Sequence, residues 1–283
     1  MEIPPNLISD STLIQETFDL LSAGDGRASF SNIADSVFRL SNLDAELAAR
    51  LIEDLVGNDP RFSFEETQLA LNSNLQELRP LSDIEFVVLD VEAVVARHMP
   101  ARIIELGAYR LKHGEIVDEF QTLINPEVRI PRFISTLTGI TDEMLKNAPL
   151  FPETLNEWLE FAGDAVLVAH NAAFDLDLLN AEIARCFPGY RMRNAELCTV
   201  DLARRIIRNA DGHNLDALAE HFGIDIDERH RAGSDALATA RLFQRLLEEL
   251  ELQGVTTLNE TRVFRTTHKS PAKASELNLA LNL

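Results

Sequence analysis

Four apolar residues at positions 86–89 (FVVL) run directly into two carboxylates, Asp90 and Glu92. An unbroken apolar run of that length predicts a strand buried on both faces. Residues two apart on a strand project from the same face, so the two acids stand side by side next to hydrophobic surface. Their mutual repulsion there is costly without a cation. The plainer reading is a strand that simply ends in solvated acids. Whether a cation site exists depends on what the rest of the chain brings to that strand end.

The chain has 283 residues, 46% of them hydrophobic, and a formal charge of −20. That is enough apolar material for one large domain or two smaller ones. Two cysteines, Cys186 and Cys198, are too few for a disulfide scaffold and point to a reducing, cytoplasmic setting. No stretch approaches the roughly 20 apolar residues of a membrane-spanning helix, and residues 1–13 lack the pattern of a signal peptide. Proline and small polar residues at 79–82 (RPLS) divide two periodic regions. Before this break, the pattern predicts a helix over 11–23, a strand over 27–30, a helix capped by Ser31 and running to 40, a helix over 44–56, and a hairpin from 61–64 and 67–71. This is the element order of a winged-helix-like α+β domain, expected over 1–80. Its would-be recognition helix carries Asp44, Glu46, Glu53 and Asp54 against Arg50 alone. Such a helix repels phosphates, so a protein-contact or structural role is expected rather than sequence-specific DNA binding. After the break come strands over 86–89, 103–109 and 116–124, a helical stretch ending at 158–161 and a strand over 165–169. Helices follow over 174–185, 199–209, 215–222 and 234–252. Strands first and helices later predict an α/β domain, a sheet flanked by helices, over 81–253. Residues 254–283 read as a flexible tail.

Two further clusters bear on the carboxylate pair. His170-Asn171-Ala172-Ala173-Phe174-Asp175 follows a strand directly. Asn171 can cap the next helix, Phe174 can anchor its first turn in the core, and Asp175 then lies at the carboxyl edge of the sheet, where ligands bind in open α/β folds. His230-Arg231-Ala232-Gly233-Ser234-Asp235 precedes an apolar-faced helix. Ser234 resembles its cap, Asp235 falls in its first turn, and His230 sits on the loop before it. Each cluster alone has an ordinary structural explanation.

Taken together, Asp-x-Glu, His-Asn-x-x-Phe-Asp and His-x-Ala-x-x-Asp, in that order, make the chain resemble the DEDDh 3′→5′ exonucleases, the superfamily of the epsilon proofreading subunit of bacterial replicative polymerase. The likeness extends through RIIELGA at 102–108, LTGITDEML at 137–145 and LDALA at 215–219, and covers roughly residues 84–250. It implies a ribonuclease H-like fold and a two-metal nuclease. Asp90, Glu92, Asp175 and Asp235 would hold two Mg²⁺ or Mn²⁺ ions, and His230 would deprotonate the attacking water. The implied reaction releases nucleoside 5′-monophosphates from a single-stranded DNA 3′ end, in proofreading or repair and alongside a polymerase or repair complex. An RNA exonuclease and a non-catalytic exonuclease-like binding module are the alternatives.

One segment departs from the family. Its first motif usually continues Glu-Thr-Thr-Gly, whereas this chain reads Glu92-Ala93-Val94-Val95. Val95 disfavours the positive φ that glycine permits, so the pocket for the terminal sugar and base must be built differently. The resemblance places Ala93, Val94, Thr138, His170, Asn171 and Phe174 as substrate contacts. Arg191, Arg193, Arg204, Arg205 and Arg208 concentrate positive charge in an acidic domain. They are expected to form a solvated helix face, with a track for the incoming strand as the alternative.

Overall fold

The computed structural model describes residues 3–264, apart from 58, 73–78, 97–98 and 208–209. It is an α/β structure built on a mixed five-stranded sheet flanked by helices. The FVVL run becomes the central strand β5 (Phe86–Ala96), which pairs antiparallel with β6 (Met99–Lys112); β6 in turn pairs with β7 (Glu115–Leu123). On its other side β5 pairs in parallel with β8 (Val166–Ala169), and β8 with the edge strand β10 (Glu196–Cys198). Alternation along β5 separates two cores. Phe86 and Val88 face α8 (Thr199–Ile206), α9 (Leu215–Phe222) and α10 (Ala232–Leu252). Val87, Leu89 and Val91 face α6 (Phe151–Ala162) and α7 (Ala172–Cys186), around the fully buried Trp158.

Helix α10 crosses β6 at very close range. A Cβ on Gly107 would lie 2.5 Å from the backbone of Ala232 and Gly233, and one on Gly233 would strike the Gln121 side chain. Gly107 is required by this approach, since it faces backbone, whereas Gly233 faces only the end of a flexible side chain. The approach brings the start of α10 down onto the sheet beside Asp90, the β5 partner of Gly107.

Two short helices, α4 (Arg132–Thr138) and α5 (Asp142–Leu145), pack Ile134, Ile140 and Leu145 against Val94 and Ile104. The expected tail is ordered at its start. Helix α11 (Leu258–Val263) has a Thr257/Glu260 capping box, and Leu258 is fully buried against the helical core. Residues 265–283 lie outside the described residues.

The amino-terminal unit has its own core around Ile33, Ile52 and Leu69. Helices α1 (Thr12–Ala23), α2 (Phe30–Ser36) and α3 (Ala45–Val56) pack with a three-stranded sheet ordered β2 (Arg27–Ser29), β4 (Gln68–Leu71), β3 (Phe62–Phe64). Helix α2 begins earlier than expected. Its cap is Ser29, whose hydroxyl accepts from the Asn32 N–H at 3.2 Å, rather than Ser31. Residues 7–9 belong elsewhere: β1 (Leu7–Ser9) pairs antiparallel with β9 (Tyr190–Met192), and Leu7 enters the core beneath the large sheet.

Candidate active site

Midway along β5, at Asp90 and Glu92, a helix arrives from each face of the sheet. On the α10 side, Asp235 is 3% exposed in the first helical turn, where the helix dipole favours its ionised form. Its Oδ2 accepts from the His230 N–H at 3.1 Å and is also paired with Arg229. Its Oδ1 is buried without a hydrogen-bond partner. Carboxylate oxygens of Glu92 and Asp235 and a ring nitrogen of His230 all lie within 4.8 Å of one another. From the other face, Asp175 is also 3% exposed, and its Oδ1 accepts from the Val91 N–H at 3.2 Å. It is thereby held on the backbone between Asp90 and Glu92. Strand, loop and two helices bring all five of the expected acidic and basic groups together midway along the central strand.

These carboxyls are poor acids because burial disfavours their charge. Burial first, and then the charges of Asp175, Asp235 and Glu92, raise Asp90 well above the usual range. Glu92 is raised to about 8 by burial and by Asp235 and Glu105. Burial raises Asp175 to about 7 against the pull of the Val91 N–H. Asp235 is also raised by burial, offset in part by Arg229. Arg229 divides its charge between Asp235 and Asp216, the latter at 2.6 Å. One shared guanidinium cannot neutralise four carboxyls. An oxygen-rich donor set with an orphaned, buried Asp235 oxygen suits small hard divalent cations such as Mg²⁺ or Mn²⁺.

The loop that carries His230 is fixed by a residue that motif reading passes over. Glu105, opposite Glu92 across the β5–β6 ladder, is 6% exposed. Its carboxylate accepts a bidentate pair from Arg231, with Nη2 at 2.6 Å, and the Ala232 N–H at 2.9 Å. This clamp ties the start of α10 to the sheet and so positions both His230 and Asp235. A charged residue inside the apolar run IIELGA is the sequence signal for Glu105, and the flanking basic pair Arg229 and Arg231 is the signal for its neighbours.

The expected substrate contacts divide. Ala93 is half-buried beside the bulge that follows Glu92. Val94, in contrast, is 1% exposed and packs inward with Ile104, the extra residue of the β6 bulge, and with Ile134; Val95 is the exposed residue. Thr138 is buried too, its hydroxyl donating to the Ile134 carbonyl and accepting from the Ile140 N–H. Asn171 occupies the position before α7 but makes no side-chain cap, and its φ of 74° lies in the left-handed region. Phe174 is 50% exposed rather than anchored in the core. The α10 cap position belongs to Arg231, with Ser234 already inside the helix. His170 Nδ1 lies 2.8 Å from the Thr199 hydroxyl, and burial lowers its pKa to about 4, so the ring is neutral.

The family model RNase_T, described as an exonuclease, matches residues 87–243. Among curated proteins, the chain is 42% identical over 176 residues to a DNA polymerase III PolC-type from Caldanaerobacter subterraneus subsp. tengcongensis, covering 62% of this chain and 12% of that protein. It is 37% identical over 223 residues to the PolC-type enzyme of Clostridium perfringens, covering 77% of this chain and 15% of that protein. The chain therefore spans only a small part of the length of these relatives. Among solved structures, it resembles the nuclease domain of 3′hExo, a DEDDh family member bound to rAMP, with a TM-score of 0.53 and 21% identity over 60% of this chain and 94% of that one. It also resembles E. coli Exonuclease I in complex with a dT13 oligonucleotide, with a TM-score of 0.51 and 12% identity over 61% of this chain and 43% of that one. At such identities, these two likenesses concern the fold alone.

Proposed function

The chain belongs to this exonuclease family and is a nuclease, and on that premise we propose that it removes nucleotides from DNA 3′ ends with two divalent ions, Mg²⁺ or Mn²⁺. Nucleoside 5′-monophosphates are the products, and proofreading or repair is the setting. The observation that carries this reading is the meeting of Glu92, His230 and Asp235 within 4.8 Å, with Asp175 held on the Val91 N–H beside Asp90. Asp90, Glu92 and Asp235 would hold one ion, and Asp90 with Asp175 the other. When bound, such a pair polarises the scissile phosphate and stabilises charge on the leaving 3′-oxygen. His230 takes the proton of the attacking water at its ring nitrogen, a task suited to an imidazole. The Glu105–Arg231 clamp holds that imidazole beside Glu92 and Asp235. Ala93, His170, Asn171 and Phe174, together with the exposed Val95, line the approach for the terminal nucleotide. Val94 and Thr138 support it from inside.

The DNA polymerase III PolC-type names of the relatives favour DNA over RNA, and a DNA polymerase as the partner. The helix–strand–helix–helix–strand–strand order and the β2–β4–β3 sheet support a winged-helix-like reading of residues 12–72. The acidic outer face of α3, where Arg50 is paired with Glu46 at 2.6 Å, favours a protein-contact or structural role for that unit. No helix of the described residues is long and apolar enough to cross a membrane.

The test is a gel assay of the full chain on 5′- and 3′-labelled DNA and RNA of one sequence. A ladder from 5′-labelled DNA, mononucleotide from 3′-labelled DNA and silence in EDTA are expected. Asp175→Ala is expected to abolish nearly all cleavage with its melting temperature retained. Unchanged turnover in that variant would overturn the metal assignment, and cleavage of RNA alone would reverse the sugar preference.

A further inference from the structure

Although the chain carries a charge of −20, two clefts on its surface are rich in arginine, and they adjoin. The first, of about 990 Å³, opens beside His170 and Asn171 at the candidate active site and is lined by Arg204, Arg205 and Arg262. The second, of about 1020 Å³, lies where the amino-terminal unit meets the nuclease unit. Arg61 faces it from one side, and Arg191, Arg193 and Lys112 from the other. Arg262 lines both clefts. So does the run that leads into the edge strand β10: Asn194 and Ala195 border the second cleft, and Glu196, Leu197 and Cys198 the first. The clefts therefore form consecutive stretches of one path along the β10 edge of the sheet.

The length of this path follows from β8. Ala165 borders the cleft at one end of that strand and His170 the cleft at the other. Five residues at about 3.3 Å each separate them by about 17 Å, or about five stacked base steps at 3.4 Å. Some of the basic groups are engaged internally: Lys112 is paired with Glu85 at 2.8 Å, Arg193 with Asp164, and Arg61 with Asp59 at 2.7 Å. Others are available. Among the described residues the Arg191 side chain makes no ion pair; its one hydrogen bond, at 3.3 Å, goes to the Met192 carbonyl. Arg204 is 63% exposed in its side chain and only loosely paired with Asp201 at 3.7 Å. In the second cleft Arg61 also lies over the Phe18 ring at 5.3 Å, the cation-and-aromatic combination that suits single strands.

Resting on the nuclease reading above, we propose that the single strand 5′ of the scissile phosphate leaves the active site past Arg204, follows the β10 edge and enters the cleft between the two units at Arg191. The amino-terminal unit then serves as a wall of the substrate path and reads no sequence. The chain as a whole is strongly acidic, which disfavours a strand elsewhere than on this arginine-lined path. Glu196 on the path opposes it, and the expected affinity is modest and strongly salt-dependent.

The experiment is fluorescence anisotropy of 5′-labelled single-stranded DNA, a trimer and a 20-mer, with the full chain in EDTA, where no cleavage occurs. Arg204→Ala is expected to weaken both lengths several-fold. Arg191→Ala is expected to weaken the 20-mer several-fold, to leave the trimer unchanged, and to lower the slope of log affinity against log salt by about 0.7, the value of one single-strand phosphate contact. Melting temperatures of both variants establish that the fold is retained. If Arg191→Ala leaves the 20-mer affinity and slope unchanged, or weakens trimer and 20-mer alike, the path is refuted. The cleft would then be left for an acidic protein segment. Mn²⁺-dependent hydrolysis of a nucleotide aryl ester by the unaltered chain is measured separately. That substrate has no second phosphate to reach either cleft, so its survival uncut counts against the nuclease and not against the path.

Discussion

At the scale of the residue, His230 is the position where conformation and chemistry are most closely tied. Its φ of 63° lies in the left-handed region, which non-glycine residues enter only when their surroundings require it. Here the surroundings are explicit: its own N–H is held by Asp235, and the next residue is clamped by Glu105. His230→Ala is expected to lower turnover by about 10²–10⁴-fold, the usual contribution of a general base, while divalent-ion binding measured by calorimetry changes little. A loss of only a few-fold would reassign His230 to holding the loop. The five candidate residues were legible in the sequence as members of short motifs, and the structure brings them together. Their neighbours were not. Asn171 reads as a helix cap, yet asparagine also tolerates the left-handed turn it adopts, and that turn leaves Phe174 facing outward. Val94 reads as a pocket residue, but Ile104, Ile134, Ile140 and Leu145 cover it, a contact between distant segments that no local pattern announces.

Elements were legible where local signals framed them: even β2, β3 and β4, of three or four residues, stand close to the expected 27–30, 61–64 and 67–71. The helices over 199–206, 215–222 and 232–252 lie close to those expected, and β5 starts as expected at Phe86 but runs past 89 to Ala96, whereas β1, β9 and β10, of three residues each, were not expected. No turn signal frames those three, and pairing across the fold, not local pattern, makes them strands. The end of the nuclease unit was misplaced for a related reason: α11 has only six residues, and its capping box is its one clear signal. The contact between α10 and β6 carries the sharpest consequence at this scale. Gly107→Ala would set a methyl group 2.5 Å from the Ala232 backbone. Backbone cannot swing aside as a side chain can, so a loss of about 1–3 kcal/mol by urea unfolding is expected. Activity should fall further than stability, since the same shift moves Asp235. A variant as stable and active as the parent would show that α10 does not need this approach.

For the molecule as a whole, the buried carboxyls tie stability to pH and to metal. Glu92, at about 8, and Asp175, at about 7, hold protons when folded that they lose when unfolded, where they titrate near 4.5 and 3.8. Through that window the folded state binds more protons, so metal-free stability is fully present at the acid end and falls as pH rises toward 8. Divalent ions bind the ionised groups and release those protons. The rise in melting temperature given by Mn²⁺ is therefore expected to be larger at pH 8 than at pH 6. At a hundred times Kd it corresponds to about 2.7 kcal/mol, on the order of 5–10 °C for a body of this size. An equal or smaller rise at pH 8 would count against ionised carboxyls as the ligands. The pairing of Leu7–Ser9 with Tyr190–Met192 has a different consequence. The small unit leaves the nuclease from one point and returns to it at another, like a bead strung on a closed loop rather than a pendant on a single thread. Two anchorages restrict its swivelling as one could not, and a cut placed between the units would deprive the larger body of a strand that it uses.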